Sequence, residues 1–332
     1  MILTVLLSAC LSFADAPLPA LSALPLKSEV TDTLRVGDEP NADARLCLAG
    51  LSWTPSRFEV SCSKAMNSKI DVLVRFASPL PSGDARNDVV VVEGSLAKDK
   101  SGQPIKARAV VVVHESGSGM TVGKLFASGL RDRGLHAFMV QMPFYGERRG
   151  ERRRPDGAQL GAIMRQAVAD VRRTRDAIAQ LPWVDASHIG VQGTSLGGFV
   201  TANVGGLDRG YDSVFILLAG GNLHGMMQTG KREVAQFRRE LAQAGIDDQQ
   251  LKELLSVVEP TRIAHRFDPL RTWQYSALLD QVVPFENALT LAEAGHLEGR
   301  HHIRMLADHY TGIVYLPLVL GHITEQMKAD VR

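Results

Sequence analysis

The sequence has 332 residues, with 37 lysines and arginines against 36 aspartates and glutamates, and 45% of its residues are hydrophobic. This balance excludes disorder as the main state, because disordered chains combine high net charge with few apolar residues. A formal net charge of +1 provides no general attraction to nucleic acid. The basic run from Arg148 to Arg154 is interrupted by Glu151 and is interpreted as a solvated loop. We therefore expect no nucleic-acid partner.

Residues 1–14 are predicted to be a signal peptide. The run from Ile2 to Leu11 is apolar, and it is well short of the ~20 residues that a membrane-spanning helix needs. Small residues at Ser12 and Ala14 suit cleavage after Ala14, although no lysine or arginine precedes the run. Cys10 also fits a lipoprotein cleavage site, which would place a lipid anchor there. We expect export to the periplasm or outside the cell, with an unprocessed apolar N-terminus as the alternative and no membrane span.

The remaining cysteines are interpreted through this expectation of export. In an oxidising compartment, Cys47 and Cys62 are predicted to form a disulfide that closes a loop of about 15 residues. Two buried thiols are the alternative. Three scattered cysteines are too few for a zinc cluster, so we expect no metal site.

The first predicted elements have antiparallel character. Residues 15–41 are rich in proline, alanine and serine without a clear period, and we predict an N-terminal arm or linker ahead of one domain over residues 42–332. Alternating apolar and polar residues then predict short strands. These strands cover Arg57 to Cys62, Ile70 to Phe76 and Val89 to Glu93.

From about Arg108 onward, strands alternate with helices. Continuous apolar runs predict strands over Ala109 to Val113, Ala137 to Met142, His188 to Gln192, Ser213 to Leu218, Thr272 to Leu279 and His302 to Leu306. Helical spacing predicts helices over Thr121 to Arg133, Gln159 to Gln180, Leu196 to Gly206, Phe285 to Gly295 and Thr311 to Asp330. This alternation predicts an α/β fold with a mostly parallel sheet that helices cover on both faces. Two polar helices within about residues 220–268 interrupt the pattern, and we predict a small helical insertion, or lid, there.

A nucleophile motif follows the strand that ends near Gln192. The sequence Gly193-Thr194-Ser195-Leu196-Gly197 has the G-x-S-x-G form, with a strand before it and a small-residue helix after it. A serine in this turn must adopt a strained backbone so that its hydroxyl projects above the sheet, and the glycines leave room for the turn. Because a helix begins directly afterwards, backbone N–H groups point at the reacting oxygen. The motif predicts Ser195 as a catalytic nucleophile.

With this motif the chain resembles the α/β-hydrolase superfamily of serine hydrolases. The resemblance implies a triad in the chain order nucleophile, acid, histidine. Asp280 and His309 follow predicted strands, so both are expected at the same sheet edge as Ser195. Asp268 is the alternative acid, although its place before a strand favours a turn cap. His322 is the alternative histidine, although it falls inside an apolar terminal helix.

The resemblance also implies an oxyanion hole built from two backbone N–H groups. The first belongs to Leu196, directly after the nucleophile. The second is expected in the loop that begins at His114, where Glu115 replaces the glycine usual in the family. Ser116 is the predicted second donor, and Gly117 is the alternative.

A short aromatic segment at the same sheet edge is a candidate for the substrate pocket. Phe144 and Tyr145 are predicted pocket residues, with packing against the sheet as the alternative, and His224 is a further pocket candidate at the start of the insertion. The segment resembles that of dienelactone-hydrolase-like and acetyl-xylan-esterase-like members. This resemblance implies esters of short acids or of carbohydrates as substrates.

These interpretations together predict a serine-dependent acyl ester hydrolase of the carboxylesterase type. It would act through an acyl-enzyme intermediate on a small-molecule ester. A peptidase or an acyltransferase with the same triad is the first alternative, and a catalytically inactive binding protein is the second. The sequence contains no recognisable cofactor motif, so no cofactor is expected.

Overall fold

The structure of the protein, a computed structural model, describes residues 18–67, 69–150 and 159–329. The predicted signal peptide, the proposed lipid anchor at Cys10 and the arginines from Arg152 to Arg154 lie outside these ranges. Within these ranges, no helix is both long enough and apolar enough to cross a membrane.

A mixed sheet organises the described residues. Its strands are β1 (Leu26–Thr31), β2 (Arg57–Lys64), β3 (Val72–Ala77), β4 (Val89–Ser95), β5 (Ala107–Val113), β6 (His136–Gln141), β7 (Val184–Thr194), β8 (Ser213–Leu217), β9 (Thr272–Ala277) and β10 (His302–Met305). The strand order is β1-β2-β3-β4-β6-β5-β7-β8-β9-β10. Strands β1 to β4 pair antiparallel, as does β4 with β6, whereas all pairs from β6 to β10 are parallel. The parallel part aligns the carboxyl ends of its strands along one edge.

Helices cover both faces of this sheet. Side chains alternate between the two faces along each strand, so successive residues of a strand pack against helices on opposite sides. The helices are α1 (Ala42–Leu51), α2 (Thr121–Arg131), α3 (Leu160–Ala179), α4 (Leu196–Asp208), α5 (Leu223–Thr229), α6 (Glu233–Gln243), α7 (Asp248–Ser256), α8 (Phe285–Ala294) and α9 (Leu316–Lys328). On β5, Val111 belongs to a core shared with α3 and α4, whereas Val110 and Val112 belong to a core shared with α2 and α9. The predicted α/β architecture is confirmed.

The N-terminal segment differs from the predicted arm. Its residues Leu26–Thr31 form β1, which pairs with β2 at the edge of the sheet. Val30 is the buried position of this strand, so the strand lacks the apolar alternation that reveals a half-buried strand in a sequence. Helix α1 was also missed, although Asn41 caps it by accepting from the N–H groups of Asp43 and Ala44.

The predicted disulfide is wrong, because Cys47 and Cys62 are both free and buried. Cys47 lies on α1, where its thiol donates to the backbone oxygen of Val257 at 3.8 Å, whereas Cys62 lies on β2, between Leu26 of the edge strand β1 and Val74 of β3. Burial raises the pKa of the Cys47 thiol to about 11 and that of the Cys62 thiol to about 12. The two cysteines are free core residues whose thiols stay protonated at neutral pH.

The interruption between β8 and β9 contains helices α5, α6 and α7. Asp247 begins α7 with a capping box, since its side chain accepts from the N–H of Gln250 while the Gln250 side chain accepts from the N–H of Asp247. The apolar side chains Leu241, Leu251 and Leu255 are buried in the core on the α3 and α4 face. The insertion is therefore packed on the domain along one apolar side.

Candidate active site

Ser195 lies in the tight turn that joins β7 to α4. Its backbone has φ of 55° and ψ of −115°, a conformation that costs a non-glycine residue free energy. The turn is held because the N–H of Ser195 donates to the oxygen of Leu217 on β8 at 2.9 Å. The strained residue is the one that the G-x-S-x-G motif predicts to be reactive.

The two glycines of the motif are required by close backbone contacts. A Cβ atom on Gly193 would lie 2.1 Å from the oxygen of Gly197, and one on Gly197 would lie 2.2 Å from the oxygen of Val113. Both distances are far below any real carbon–oxygen contact. The glycines therefore allow α4 to begin directly against the end of β5, which brings Ser195 beside the loop that follows β5.

Ser195, His309 and Asp280 are joined by two hydrogen bonds at the carboxyl edge of the sheet. The Oγ of Ser195 lies 2.9 Å from Nε2 of His309, and Nδ1 of His309 lies 2.6 Å from Oδ2 of Asp280. If Nδ1 carries the proton that is donated to the carboxylate, Nε2 is free to accept from the serine hydroxyl. The arrangement is that of a nucleophile, a base and an acid that orients the base.

The carboxylate of Asp280 is held on both oxygens. While Oδ2 accepts from His309, Oδ1 accepts from the N–H groups of Val282 and Val283 at 2.8 and 2.9 Å. Its side chain is only 2% exposed. Asp280 therefore presents to His309 a fixed oxygen that is almost completely shielded from solvent.

The alternative acid and histidine occupy other places. Asp268 is partly exposed and accepts from the N–H of Leu270, which is the turn-cap role expected of it. His322 lies on α9, where its Nδ1 shares a hydrogen bond of 2.7 Å with the hydroxyl of Tyr275. Neither residue contacts Ser195.

Two backbone N–H groups at this edge of the sheet are candidates for oxyanion donors. Leu196 is the first residue of α4, so its N–H has no partner within the helix. Ser116 lies in the loop after β5, against which α4 packs at Gly197. Within the described ranges, no hydrogen bond uses the N–H of Leu196 or of Ser116. The alternative donor, Gly117, also lies in this loop, where its carbonyl oxygen accepts from Met120.

Glu115, the departure from the family pattern, has a structural role in this loop. Its carboxylate accepts from the N–H groups of Val122 and Gly123, both at 3.1 Å, in the first turn of α2. A negative charge is favourable at this end of a helix. Glu115 thus ties the loop to α2. The acidic residue shortly before a predicted helix was the sequence signal for this contact.

The predicted pocket residues are placed differently from one another. Phe144 has φ of 65°, and its N–H donates to Oδ1 of Asn87 at 2.9 Å. The hydroxyl of Tyr145 donates to the oxygen of Ser116 at 2.9 Å, so Tyr145 reaches the proposed oxyanion loop. His224, by contrast, forms a 2.9 Å contact with Asp248 within the insertion. Tyr145 is therefore the pocket candidate that hydrogen-bonds to the loop after β5.

Three residues at the histidine loop and the insertion were missed by sequence reasoning. The hydroxyl of Tyr310, next to His309, donates to Glu233 at the start of α6, and the guanidinium of Arg232 lies 5.1 Å from the centre of the Tyr310 ring. This hydrogen bond lowers the pKa of Glu233, while burial and the nearby carboxylate raise the pKa of Tyr310 to about 12. The insertion therefore contacts the loop that carries the histidine.

Within the described ranges, no cluster of three histidine, cysteine or acidic side chains could hold a metal ion.

Comparisons with known proteins agree with this geometry at the level of the fold. No protein-family model matches the chain, and no curated protein matches it significantly. Acetyl xylan esterase 1 from Thermoanaerobacterium sp. JW/SL YS485 is similar in structure, with a TM-score of 0.61 and 14% identity over 89% of this chain and 96% of that one. The α/β hydrolase GrgF from Penicillium sp. sh18 gives a TM-score of 0.53 and 15% identity over 77% of this chain and 97% of that one.

A third similar structure belongs to a larger protein. The puromycin-hydrolyzing peptidase of Mycobacterium tuberculosis gives a TM-score of 0.58 and 15% identity over 82% of this chain, but over only 46% of its own length. At these identities the likeness concerns the fold alone. The chain has the α/β-hydrolase fold, as the nucleophile motif and the strand–helix alternation predict.

Proposed function

We propose that the protein is a serine-dependent acyl ester hydrolase. The observation that carries this proposal is the pair of hydrogen bonds that joins Ser195 to His309 and His309 to Asp280. The strained backbone of Ser195 adds support, since strain in a static structure clusters at functional positions. An inactive binding protein would have no need to keep all three side chains in this geometry.

In the proposed mechanism, hydrolysis proceeds in two steps. His309 accepts the proton from the Ser195 hydroxyl as the oxygen attacks the ester carbonyl, and it then gives that proton to the departing alcohol. Asp280 keeps His309 in the correct tautomer and stabilises its protonated form. Water, activated by His309, then attacks the acyl-enzyme and releases the acid together with free Ser195.

The negative charge that develops on the carbonyl oxygen needs donors in place before the reaction. We assign this role to the N–H groups of Leu196 and Ser116, which lack other partners within the described ranges. Each such donor contributes roughly 3 kcal/mol to transition-state stabilisation in related chemistry.

Small esters, including acetylated carbohydrates, are the proposed substrates. The extensive likeness to an acetyl xylan esterase, which covers 89% of this chain, supports a test of such substrates first. A peptidase or acyltransferase that uses the same triad is the second candidate, and the likeness to a puromycin-hydrolyzing peptidase favours it. Against a peptidase, the similarity covers only 46% of that larger protein.

A covalent probe and an ester panel test the proposal together. The purified protein is incubated with a fluorophosphonate, and its turnover of nitrophenyl acetate, acetylated xylo-oligosaccharides and aminoacyl nitroanilides is measured. We expect labelling and ester turnover in the wild-type protein, and loss of both in Ser195→Ala. Ser187→Ala, which changes an exposed serine at the start of β7, is the matched control and should behave as wild type. Labelled protein that cleaves only the aminoacyl substrates would favour the peptidase, and ester turnover retained in Ser195→Ala would contradict the proposal.

A further inference from the structure

Two side chains outside the triad hold the peptide groups on either side of Ser116. We propose that Tyr145 and His114 are positioning residues that aim the N–H of Ser116 at the oxygen of the reacting carbonyl. This inference rests on the proposed function, and it assigns a role to two residues outside the triad. The contacts that support it follow the loop from His114 to Ser116.

His114 orients the peptide group between Glu115 and Ser116. The N–H of Met142 donates to Nε2 of His114 at 3.1 Å, so Nε2 carries no proton and the hydrogen of the neutral ring lies on Nδ1. Nδ1 donates in turn to the oxygen of Glu115 at 2.6 Å. In a trans peptide the C=O and the following N–H point in opposite directions. The bond from His114 therefore directs the N–H of Ser116 away from the imidazole.

Tyr145 orients the next peptide group. Its hydroxyl donates to the oxygen of Ser116 at 2.9 Å, and its ring meets the His114 ring edge-on with centroids 4.6 Å apart. The two side chains thus support each other and hold both peptide planes that flank Ser116. With both planes fixed, Ser116 cannot rotate its N–H without breaking a hydrogen bond.

The surroundings keep this arrangement rigid. The side chain of His114 is fully buried, and burial lowers its pKa to about 4. The ring is therefore neutral at physiological pH and retains the tautomer that the two hydrogen bonds need. On the other side of the loop, Gly197 of α4 lies so close to the oxygen of His114 that a Cβ would be 2.6 Å from it. The loop is held between β6 and the helix that follows the nucleophile.

A positioning role predicts an effect on the chemical step rather than on substrate binding. An oxyanion donor acts on charge that develops in the transition state, so a misaimed donor lowers kcat and leaves KM nearly unchanged. A residue that lines the pocket would instead change KM. This difference separates the present proposal from a role for Tyr145 as a pocket residue.

The test compares two tyrosines that each donate a hydroxyl to a backbone oxygen. Tyr145→Phe keeps the aromatic ring and removes the hydroxyl that donates to Ser116. Tyr211→Phe is the matched control, since the buried hydroxyl of Tyr211 donates to the oxygen of Val171 at 2.6 Å, between α3 and the loop before β8. For nitrophenyl acetate we expect kcat to fall roughly 10- to 100-fold in Tyr145→Phe with KM within about twofold, and both constants to persist in Tyr211→Phe. Inhibition by a boronic acid, which forms a tetrahedral adduct on Ser195, should weaken in parallel with kcat.

A second pair of variants keeps the test valid if Tyr145→Phe is unstable. His114→Asn places an amide N–H near the position of Nδ1, whereas His114→Gln places it near Nε2 and removes the donor to Glu115. We expect His114→Asn to retain clearly more kcat than His114→Gln. Equal kcat in these two variants, an unchanged kcat in Tyr145→Phe, or a rise in KM alone would overturn the positioning role. Wild-type protein that neither turns over esters nor reacts with fluorophosphonate would overturn the proposed function as well, so the two failures are distinguishable.

Discussion

Arg148 and Asp170 form a salt bridge of 2.7 Å in which both side chains are fully buried. The other nitrogens of the Arg148 guanidinium donate to the backbone oxygens of Asn87 and Gln141, and Asp170 also accepts from the hydroxyl of Ser78. The interpretation of Arg148 as part of a solvated basic loop is therefore wrong. This arginine ties the segment after β6, which carries Tyr145, to α3 in the core.

Loss of this arginine is expected to destabilise the protein strongly. In Arg148→Met, Asp170 would remain buried without its partner, and burial already raises the pKa of this carboxyl. Removing one member of a buried pair typically costs about 3–5 kcal/mol in the free energy of unfolding. Urea denaturation at pH 7 measures this change.

Two further variants identify the cause of the loss. Arg149→Met changes the exposed neighbour and should leave the urea midpoint near that of the wild type. The double variant Arg148→Met, Asp170→Leu removes both charges and should recover much of the stability. A double variant no more stable than Arg148→Met would mean that the arginine's backbone contacts, rather than the charge pair, dominate.

Substitution of the acid should separate Asp280 from its alternative. Asp280→Asn cannot accept the Nδ1 proton of His309 as a carboxylate does, so the histidine would favour the wrong tautomer. In serine proteases the equivalent change lowers kcat about 10⁴-fold, and we expect a loss of that order here. Asp268→Asn, at the exposed turn before β9, is the control and should keep wild-type kcat. Steady-state hydrolysis of nitrophenyl acetate measures both, and a large loss in Asp268→Asn would contradict the assignment.

The sequence predicts those parts of the fold and of the site that depend on local residue patterns. Apolar runs predict the parallel strands because both faces of those strands are buried, and a five-residue motif predicts the turn at Ser195. Asp280 and His309 follow because parallel strands end at one edge of a sheet, where any residues just after them become neighbours. The structure joins these three side chains through two hydrogen bonds, both of which involve His309.

The remaining features depend on contacts between distant segments, which carry no local pattern. The partner of Arg148 lies 22 residues away on a helix, and that of the Tyr145 hydroxyl lies 29 residues away on a loop. An arginine among charged neighbours looks the same in a sequence whether solvent or a buried carboxylate surrounds it. In the same way, Cys47 and Cys62 are close in sequence, but one lies on a helix and the other on a strand, and both thiols are free and buried in the core.

Glycine substitutions should distinguish the nucleophile turn from an ordinary helix. In Gly197→Ala the new Cβ would lie 2.2 Å from the oxygen of Val113 and 2.6 Å from that of His114, and both atoms belong to the backbone. We expect α4 to shift, with a loss of fluorophosphonate labelling at Ser195 and a lower melting temperature. Gly321→Ala on α9 is the control, because nothing lies within 4 Å of its Cβ position. That change should stabilise the protein by up to about 1 kcal/mol through helix propensity, with labelling intact. Full labelling in Gly197→Ala would mean that α4 can move away from the oxygens of Val113 and His114 without displacing Ser195.

Stability should fall as the pH is lowered, in part because of His114. Burial lowers the pKa of this histidine from 6.5 to about 4, so between these values the unfolded chain binds a proton that the folded protein does not. The stability that the neutral, buried His114 contributes is therefore complete above pH 6.5 and is lost as the pH falls toward 4. Between pH 7 and pH 5 it amounts to about 2 kcal/mol in the free energy of unfolding.

Urea denaturation of the wild type and of His114→Asn at both pH values isolates this contribution. The variant is expected to be less stable at each pH, but to lose about 2 kcal/mol less than the wild type between pH 7 and pH 5. Some pH dependence should persist in the variant, since burial also lowers the pKa of His302 to about 4. An equal loss in both proteins would mean that His114 has the same pKa in the folded and unfolded chains. In that case burial would not keep the ring neutral, and the protonation state of the ring that orients Ser116 would change with pH.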